Sequence, residues 1–306
     1  MMRWAGTFLG VFVFFLNSFG LAAPKERARR APSPPPEAPS PEIPPIEELP
    51  KVAARLQSKN PDEVREAITL LTIMNTREAV APLAALLRSG PPDAITDAAI
   101  DALARLGMPE SIEVLSEMIR HRRAGVRRRA YAALASINDR RVIPLIEQGL
   151  RDSDRNVREA CAEALGKLGA KNSLELLFLA FERGVLGASE AIGRLGGERD
   201  VNRFHTFLGK MPISVMLSGY EQFLRRNDLN ESKKVEIINR LREVSGRLVC
   251  QSLLAYRDSL PPLGRGESPG ELRRALSQAI DQVAWDEGRS RCRSLDPSLS
   301  GSGGGR

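Results

Sequence analysis

The chain has 306 residues, 42% of them apolar and 27% charged, with a formal net charge of +7. That balance is ordinary for a soluble protein and sets aside a chain given over to disorder or to membrane. Two histidines and three cysteines leave little from which to build a metal centre.

Met1 to Ala23 has the layout of a secretory signal. Arg3 gives a positive start, Ala5 to Leu16 runs apolar, and Gly20-Leu21-Ala22-Ala23 supplies small residues for cleavage. Pro24 disfavours a cut just before it, so residues 1–22 are read as the signal. The destination expected is the periplasm or cell envelope, and loss of Arg3 leaves the mature chain at +6. An uncleaved anchor is the alternative, but Asn17, Ser18 and Gly20 leave the segment short of about 18–20 clean apolar residues. Residues 23–45 are read as a disordered linker. Ala31 to Pro45 holds eight prolines in fifteen residues, which forbids helix and sheet and predicts a semi-rigid spacer of about 3 Å per residue.

From residue 46 to 212 the sequence repeats itself. Arg151 to Gly169, RDSDRNVREACAEALGKLG, reads as a turn and one helix: Asp154 caps it, Leu165 and Leu168 form its apolar stripe and Gly169 ends it. Leu134 and Ile137 stand 31 residues upstream, Leu103 and Leu106 a further 31, Leu71 and Met74 a further 32, and Ile192 and Leu195 lie 27 downstream. A second helix follows each. Its inward triplets are Val80, Leu83, Leu87; Ile112, Leu115, Ile119; Ile143, Ile146, Leu150; Leu174, Leu177, Phe181; and Val201, Phe204, Leu208. Leu49, Val52 and Leu56 match the triplet one step early and predict an N-terminal half-repeat. A period of this size predicts an all-α fold, an α-solenoid of about five helix-pair repeats.

Residues 213–287 leave that register and predict a C-terminal helical cap. One helix is expected over Val215 to Leu224 and one with Ile237, Ile238, Leu241 and Val244, capped by Asn230 or Ser232. A third covers Leu248 to Tyr256, and a last one, capped by Ser268, ends near Trp285. Residues 288–306 are expected to be a disordered tail.

Val142 to Gly169, VIPLIEQGLRDSDRNVREACAEALGKLG, resembles the short bacterial form of the HEAT repeat, the variety also found in phycobilisome-lyase-type proteins. The resemblance runs from about Leu49 to Leu208. Standard HEAT units span about 40–47 residues, so the match is to the compact variety, while tetratricopeptide repeats would carry large aromatics where Ala and Leu stand here. The resemblance implies a scaffold and leaves the function open, because these repeats serve many unrelated ones.

Residues able to carry chemistry are few. His121 lies in an arginine-rich turn and His205 beside the inward Phe204, and neither HExxH, CxxC nor a glycine-rich phosphate loop occurs. The repeated His-Glu pairs of HEAT-type iron hydroxylases are missing. The expectation is a protein that is not an enzyme, with no catalytic or metal-ligating residues, no cofactor and no small-molecule substrate. Cys161 takes the slot of Ala130 and Ala99 and is read as core. Cys250 and Cys292 would meet an oxidising compartment after export and are candidates for a disulfide, although their spacing alone cannot establish proximity.

Arginine is the excess that calls for a role. Arg120, Arg122, Arg123, Arg127, Arg128, Arg129, Arg140 and Arg141 crowd the second-to-third repeat junction. Arg127 recurs at Arg65 and Arg158, which predicts an inter-repeat ladder with acids such as Asp152 and Asp154. Arg122, Arg123 and Arg128 lie beyond that ladder and are the candidates for a partner-binding basic edge. The second helices are expected to line a concave binding face, with Arg141, Glu147, Gln148, Arg151, Asn172 and Glu175 on it. Leu176, Phe178 and Leu179 add apolar surface there, assigned to packing on the fifth repeat in preference to a partner groove. The function expected is a non-catalytic scaffold or adaptor that binds another protein with an acidic surface. The alternatives are a lyase-type or other enzymatic accessory factor, and a binder of anionic lipid or nucleic acid on the arginine edge. Export argues against nucleic acid and leaves membrane contact to anionic headgroups or a retained signal.

Overall fold

The computed structural model describes residues 44–264, 268–285 and 290–295. The signal and nearly all of the linker lie outside the described residues, as does the end of the expected tail. α1 (Leu49–Ala54) stands first, with Val52 and Leu56 buried behind it. Five helix pairs follow: α2 (Pro61–Met74) with α3 (Val80–Arg88), α4 (Asp93–Leu106) with α5 (Ile112–Met118), α6 (Ala124–Ser136) with α7 (Val142–Gly149), α8 (Arg155–Lys167) with α9 (Leu174–Glu182), and α10 (Ala188–Leu195) with α11 (Glu198–His205). The fold is an α-solenoid.

Local chemistry sets the boundaries. Asp154 accepts from the backbone N–H groups of Asn156 and Val157 at the start of α8, and Asn60 does the same for Asp62 at the start of α2. Gly169, in the left-handed region at φ 67°, lets the Ala170 N–H reach back to the Leu165 carbonyl and close α8.

First helices contact first helices down the stack, and what they place between them is small. Ala67, Ala99, Ala130 and Cys161 are fully buried at corresponding positions of α2, α4, α6 and α8. Farther along even a methyl group has no room: a Cβ on Gly193 of α10 would come within 2.2 Å of the Gly219 carbonyl oxygen. Second helices stand farther apart, and hollows open between them, about 510 Å³ between α3 and α5. The middle residue of every second-helix triplet, Leu83, Leu115, Ile146, Leu177 and Phe204, is wholly buried. The first member is buried in the first and fifth units, at Val80 and Val201, but in the middle three Ile112, Ile143 and Leu174 are half-buried, while the preceding Ser111, Val142 and Ser173 are buried in full. Two of those three are serines, so the stripe falls one residue earlier than hydropathy indicates.

Hydrogen bonds cross from unit to unit at the repeat step. Ser136 Oγ donates to the Ala104 carbonyl at 2.8 Å, and the Glu159 carboxylate accepts from the Leu186 N–H at 3.1 Å and the Gly187 N–H at 2.5 Å. Ser189 Oγ donates to the Val215 carbonyl at 2.6 Å. Each joins a unit only to its neighbour, as expected of a quasi-one-dimensional fold.

The region expected to be a cap outside the register continues the stack. α12 (Ile213–Arg225) packs on α10, and α13 (Glu231–Arg242) lies beside α11. α14 (Arg247–Ser259) then packs on α12, and α15 (Glu271–Gln282) against α13 and α14. Cross-links at the repeat step continue too: Lys233 donates to the Asn202 side chain at 2.9 Å and Ser252 to Glu221 at 3.0 Å. Aromatic side chains carry the core across this join, with Phe204 edge-on to both Tyr220 and Phe223. Asn230 caps α13, whereas α15 starts after Gly270 and Ser268 makes no capping bond to it. Order also runs past residue 287. β1 (Ala284–Trp285) pairs antiparallel with β2 (Ser290–Arg291), and a 3₁₀ turn follows at Cys292–Leu295. Cys292 is disulfide-bonded to Cys250 of α14, their Cα atoms 5.0 Å apart.

Two measurements check this arrangement. Gly193→Ala should force α10 and α12 apart and destabilise the protein by about 1–3 kcal/mol, read by thermal unfolding. An unchanged melting temperature would mean that the two helices are not in contact. Reduction of the disulfide, or Cys292→Ser, releases a loop of 42 residues. Loop-closure entropy puts the loss at about 4 kcal/mol, and hydrogen exchange should locate it in α14 and α15 while α2 to α9 stay protected.

Candidate partner-binding surface

The arginine cluster divides into bound and free members. Arg127 makes a two-pronged bond to Asp152, Nε to Oδ2 at 2.8 Å and Nη2 to Oδ1 at 2.7 Å, and its Nη1 donates to the His121 carbonyl at 2.9 Å. Side chains at this pair are 13% and 9% exposed. The hydrogen bonds from Arg127 hold the Asp152 carboxyl below its ordinary range. Only this rung of the expected ladder is complete. Arg158 reaches the Asp152 and Ser153 carbonyls, and Arg65 turns to Asp62 within its own helix. The acid is what fails to repeat: the positions 31 residues before and after Asp152 are His121 and Arg183.

Arg129 pairs with Asp97 and Asp101 of the preceding unit. Arg123, grouped by its sequence with the free charges, is half-buried and reaches Asp93 at 2.7 Å. Arg122 and Arg128 are exposed and have no ion pair among the described residues, and Arg120 and Arg140 share that state. Of the three residues read from the sequence as a basic edge, Arg122 and Arg128 are thus unpaired among the described residues and Arg123 is paired.

Residues placed on the second-helix face are divided in the same way. Arg141 folds back on Asp139 at 2.6 Å, Glu147 accepts from Ser173 Oγ at 2.6 Å, and Glu175 pairs with Arg203 at 2.7 Å. Gln148, Arg151 and Asn172 are exposed and make no side-chain bond among the described residues. Phe178 is fully buried, stacked on Phe207 of the fifth unit and covered by the Arg203 guanidinium 4.1 Å from its ring centre. Leu176 and Leu179 remain half-buried.

Cys161 is buried against Gly149 and Tyr131, and burial pushes its thiol up and the Tyr131 phenol up to about 12. One arrangement had no signal in the sequence. His205, the last residue of α11, meets Tyr220 of α12 with Nδ1 2.8 Å from the phenol oxygen. Its Nε2 lies 3.5 Å from Glu236 of α13 without a hydrogen bond. Which of the two groups donates follows the imidazole tautomer. Among the described residues no group of three or more His, Cys, Asp or Glu is placed to hold a metal ion.

A family model described as HEAT repeats matches residues 49–135 and 119–183. Residues 49–183 are HEAT repeats. Among solved structures it is similar to the complex of CpcE and CpcF of phycocyanin lyase from Nostoc sp. PCC7120, at 17% identity and TM-score 0.43 over 82% of this chain and 100% of that one. It is similar also to human deoxyhypusine hydroxylase in complex with glycerol, at 16% identity and TM-score 0.38 over 77% and 96% of the two chains. An engineered protein follows at 14% identity and TM-score 0.35 over 78% and 98%. No curated protein matches the chain by sequence.

The histidine supplies a pH test. Burial, ahead of the opposing pull of Glu236, lowers the His205 pKa from 6.5, and the Arg240 and Lys233 charges lower it further. The unfolded chain thus takes up this proton at a higher pH than the folded one. Its contribution to stability is full above about pH 6.5 and is lost as pH falls from there through the folded value. Thermal melts between pH 5 and 8 should show that decline, and His205→Gln should flatten it. An unaltered slope in the variant would assign the effect elsewhere.

Proposed function

We propose that this protein is a non-catalytic scaffold of the cell envelope that binds an acidic partner protein on its solenoid surface. Stacked repeats make a wide, preformed surface, which lowers the ordering that association demands. The observation that carries the reading is the unspent charge: Arg122 and Arg128 are exposed without an acid while Arg123, Arg127, Arg129 and Arg141 beside them are paired. Unmatched surface cations steer and select partners of opposite charge. The N-terminal pattern of residues 1–22 and the cystine at Cys250 and Cys292 support an oxidising, extracytoplasmic location.

The test is affinity capture from nuclease-treated envelope extract with the chain from residue 23 onward, alongside a variant carrying Arg122→Glu and Arg128→Glu. Arg123 is left intact because its pair with Asp93 joins two units. A defined protein retained by the parent and lost with the variant is the expected result. Retention of nucleic acid or anionic lipid alone, released by salt, would sink the reading.

A further inference from the structure

His205 also lines a hollow of about 470 Å³ between the end of α11, the connection that follows it and α13. Leu208, Met211, Ile213 and Val244 give it apolar walls, and Arg240 and Glu243 stand beside them. The imidazole is only 8% exposed, and one of its two nitrogens is in use. Nδ1 is engaged with Tyr220, which does not line the hollow, whereas Nε2 is buried without a hydrogen bond. Nε2 is on the ring edge turned toward α13. Glu236 lies 3.5 Å from it, and Arg240 and Glu243 follow one and two turns farther along the same face of that helix. The other Glu236 oxygen accepts from Lys233 at 2.7 Å, and Arg240 pairs with Glu243 at 3.1 Å. A buried polar atom left unpaired is uncommon and calls for a partner.

We propose that this hollow binds an uncharged small molecule that carries a hydroxyl group on an apolar body, with the hydroxyl meeting His205 Nε2. Three features select that class. A hollow of a few hundred Å³ with apolar walls and few polar groups has the form of a small-ligand site. A hydroxyl both donates and accepts, so it satisfies Nε2 whichever ring nitrogen holds the proton. A charged ligand would find no unmatched charge, because Lys233 answers Glu236 and Arg240 answers Glu243, and it would give up hydration without return. The site involves α11 and α13, not the arginines of the second and third units, and goes beyond the protein-binding reading.

Titration of the full chain with 4-ethylphenol, followed by the imidazole proton resonances, tests the site. The chain has two histidines, so His121 serves as the control within the molecule. The His205 resonance should move saturably while that of His121 stays still. 4-Ethyltoluene, with a methyl group in place of the hydroxyl, should bind about threefold to tenfold more weakly, the range of one hydrogen bond. 4-Ethylbenzoate should also bind more weakly than the phenol. Met211→Trp, which fills the hollow and leaves the imidazole in place, should abolish the shift. His205→Phe, measured by calorimetry, should lower the affinity for the phenol to that for 4-ethyltoluene. Equal binding of the phenol and its methyl counterpart by the parent, tighter binding of the benzoate, or equal movement of both histidines overturns the proposal. So does the absence of any saturable shift, which would assign Nε2 to Glu236 or to water. None of these outcomes bears on capture of a partner from envelope extract, so the two readings stand or fall separately.

Discussion

The close approach of the first helices is the constraint on which the rest of the structure depends. Alanine at positions 67, 99 and 130, Cys161, and then glycine at 193 and 219 let these backbones come together, and larger side chains there would push the units apart. The second helices are set farther off by their leucines, isoleucines and phenylalanines. Small residues on one row and large ones on the other give every unit the same wedge, so one packing solution is applied repeatedly. Charges follow the same logic, since Arg127 with Asp152 and Arg129 with Asp101 each fasten one unit to the next.

The five repeated pairs were legible because burial at the middle triplet position is absolute and only large apolar residues satisfy it. The two later pairs were not. Their steps lengthen and shorten, and Tyr220 and Phe223 stand where earlier units carry aliphatic residues, so no fixed period connects them to Leu195. Packing survives the change because a ring can fill the volume of a leucine and reach farther, as Phe204 does toward both aromatics. The same blindness to small side chains hid Ser111 and Ser173, which occupy core positions that a hydropathy pattern passes over.

The surface was legible only in part. Composition pointed to arginine, but whether a given guanidinium is free depends on acids two or three dozen residues away. Asp93 removes Arg123 from the candidates. His205 and Tyr220 were invisible for a related reason: their meeting depends on α12 continuing the stack, the one architectural feature that the repeat pattern does not announce.

The cystine at the far end introduces a direction. A stack joined only between neighbours comes apart from its ends, and the two ends here differ: α1 is six residues long and uncrosslinked, whereas α14 is tied to the chain segment that follows α15. Tension on the molecule would peel it unit by unit from α1 onward, and the cystine would hold the last pair until the remainder had been drawn out. A partner seated across the middle units would then act as a brake partway along that sequence, so that occupancy and resistance to pulling become one property.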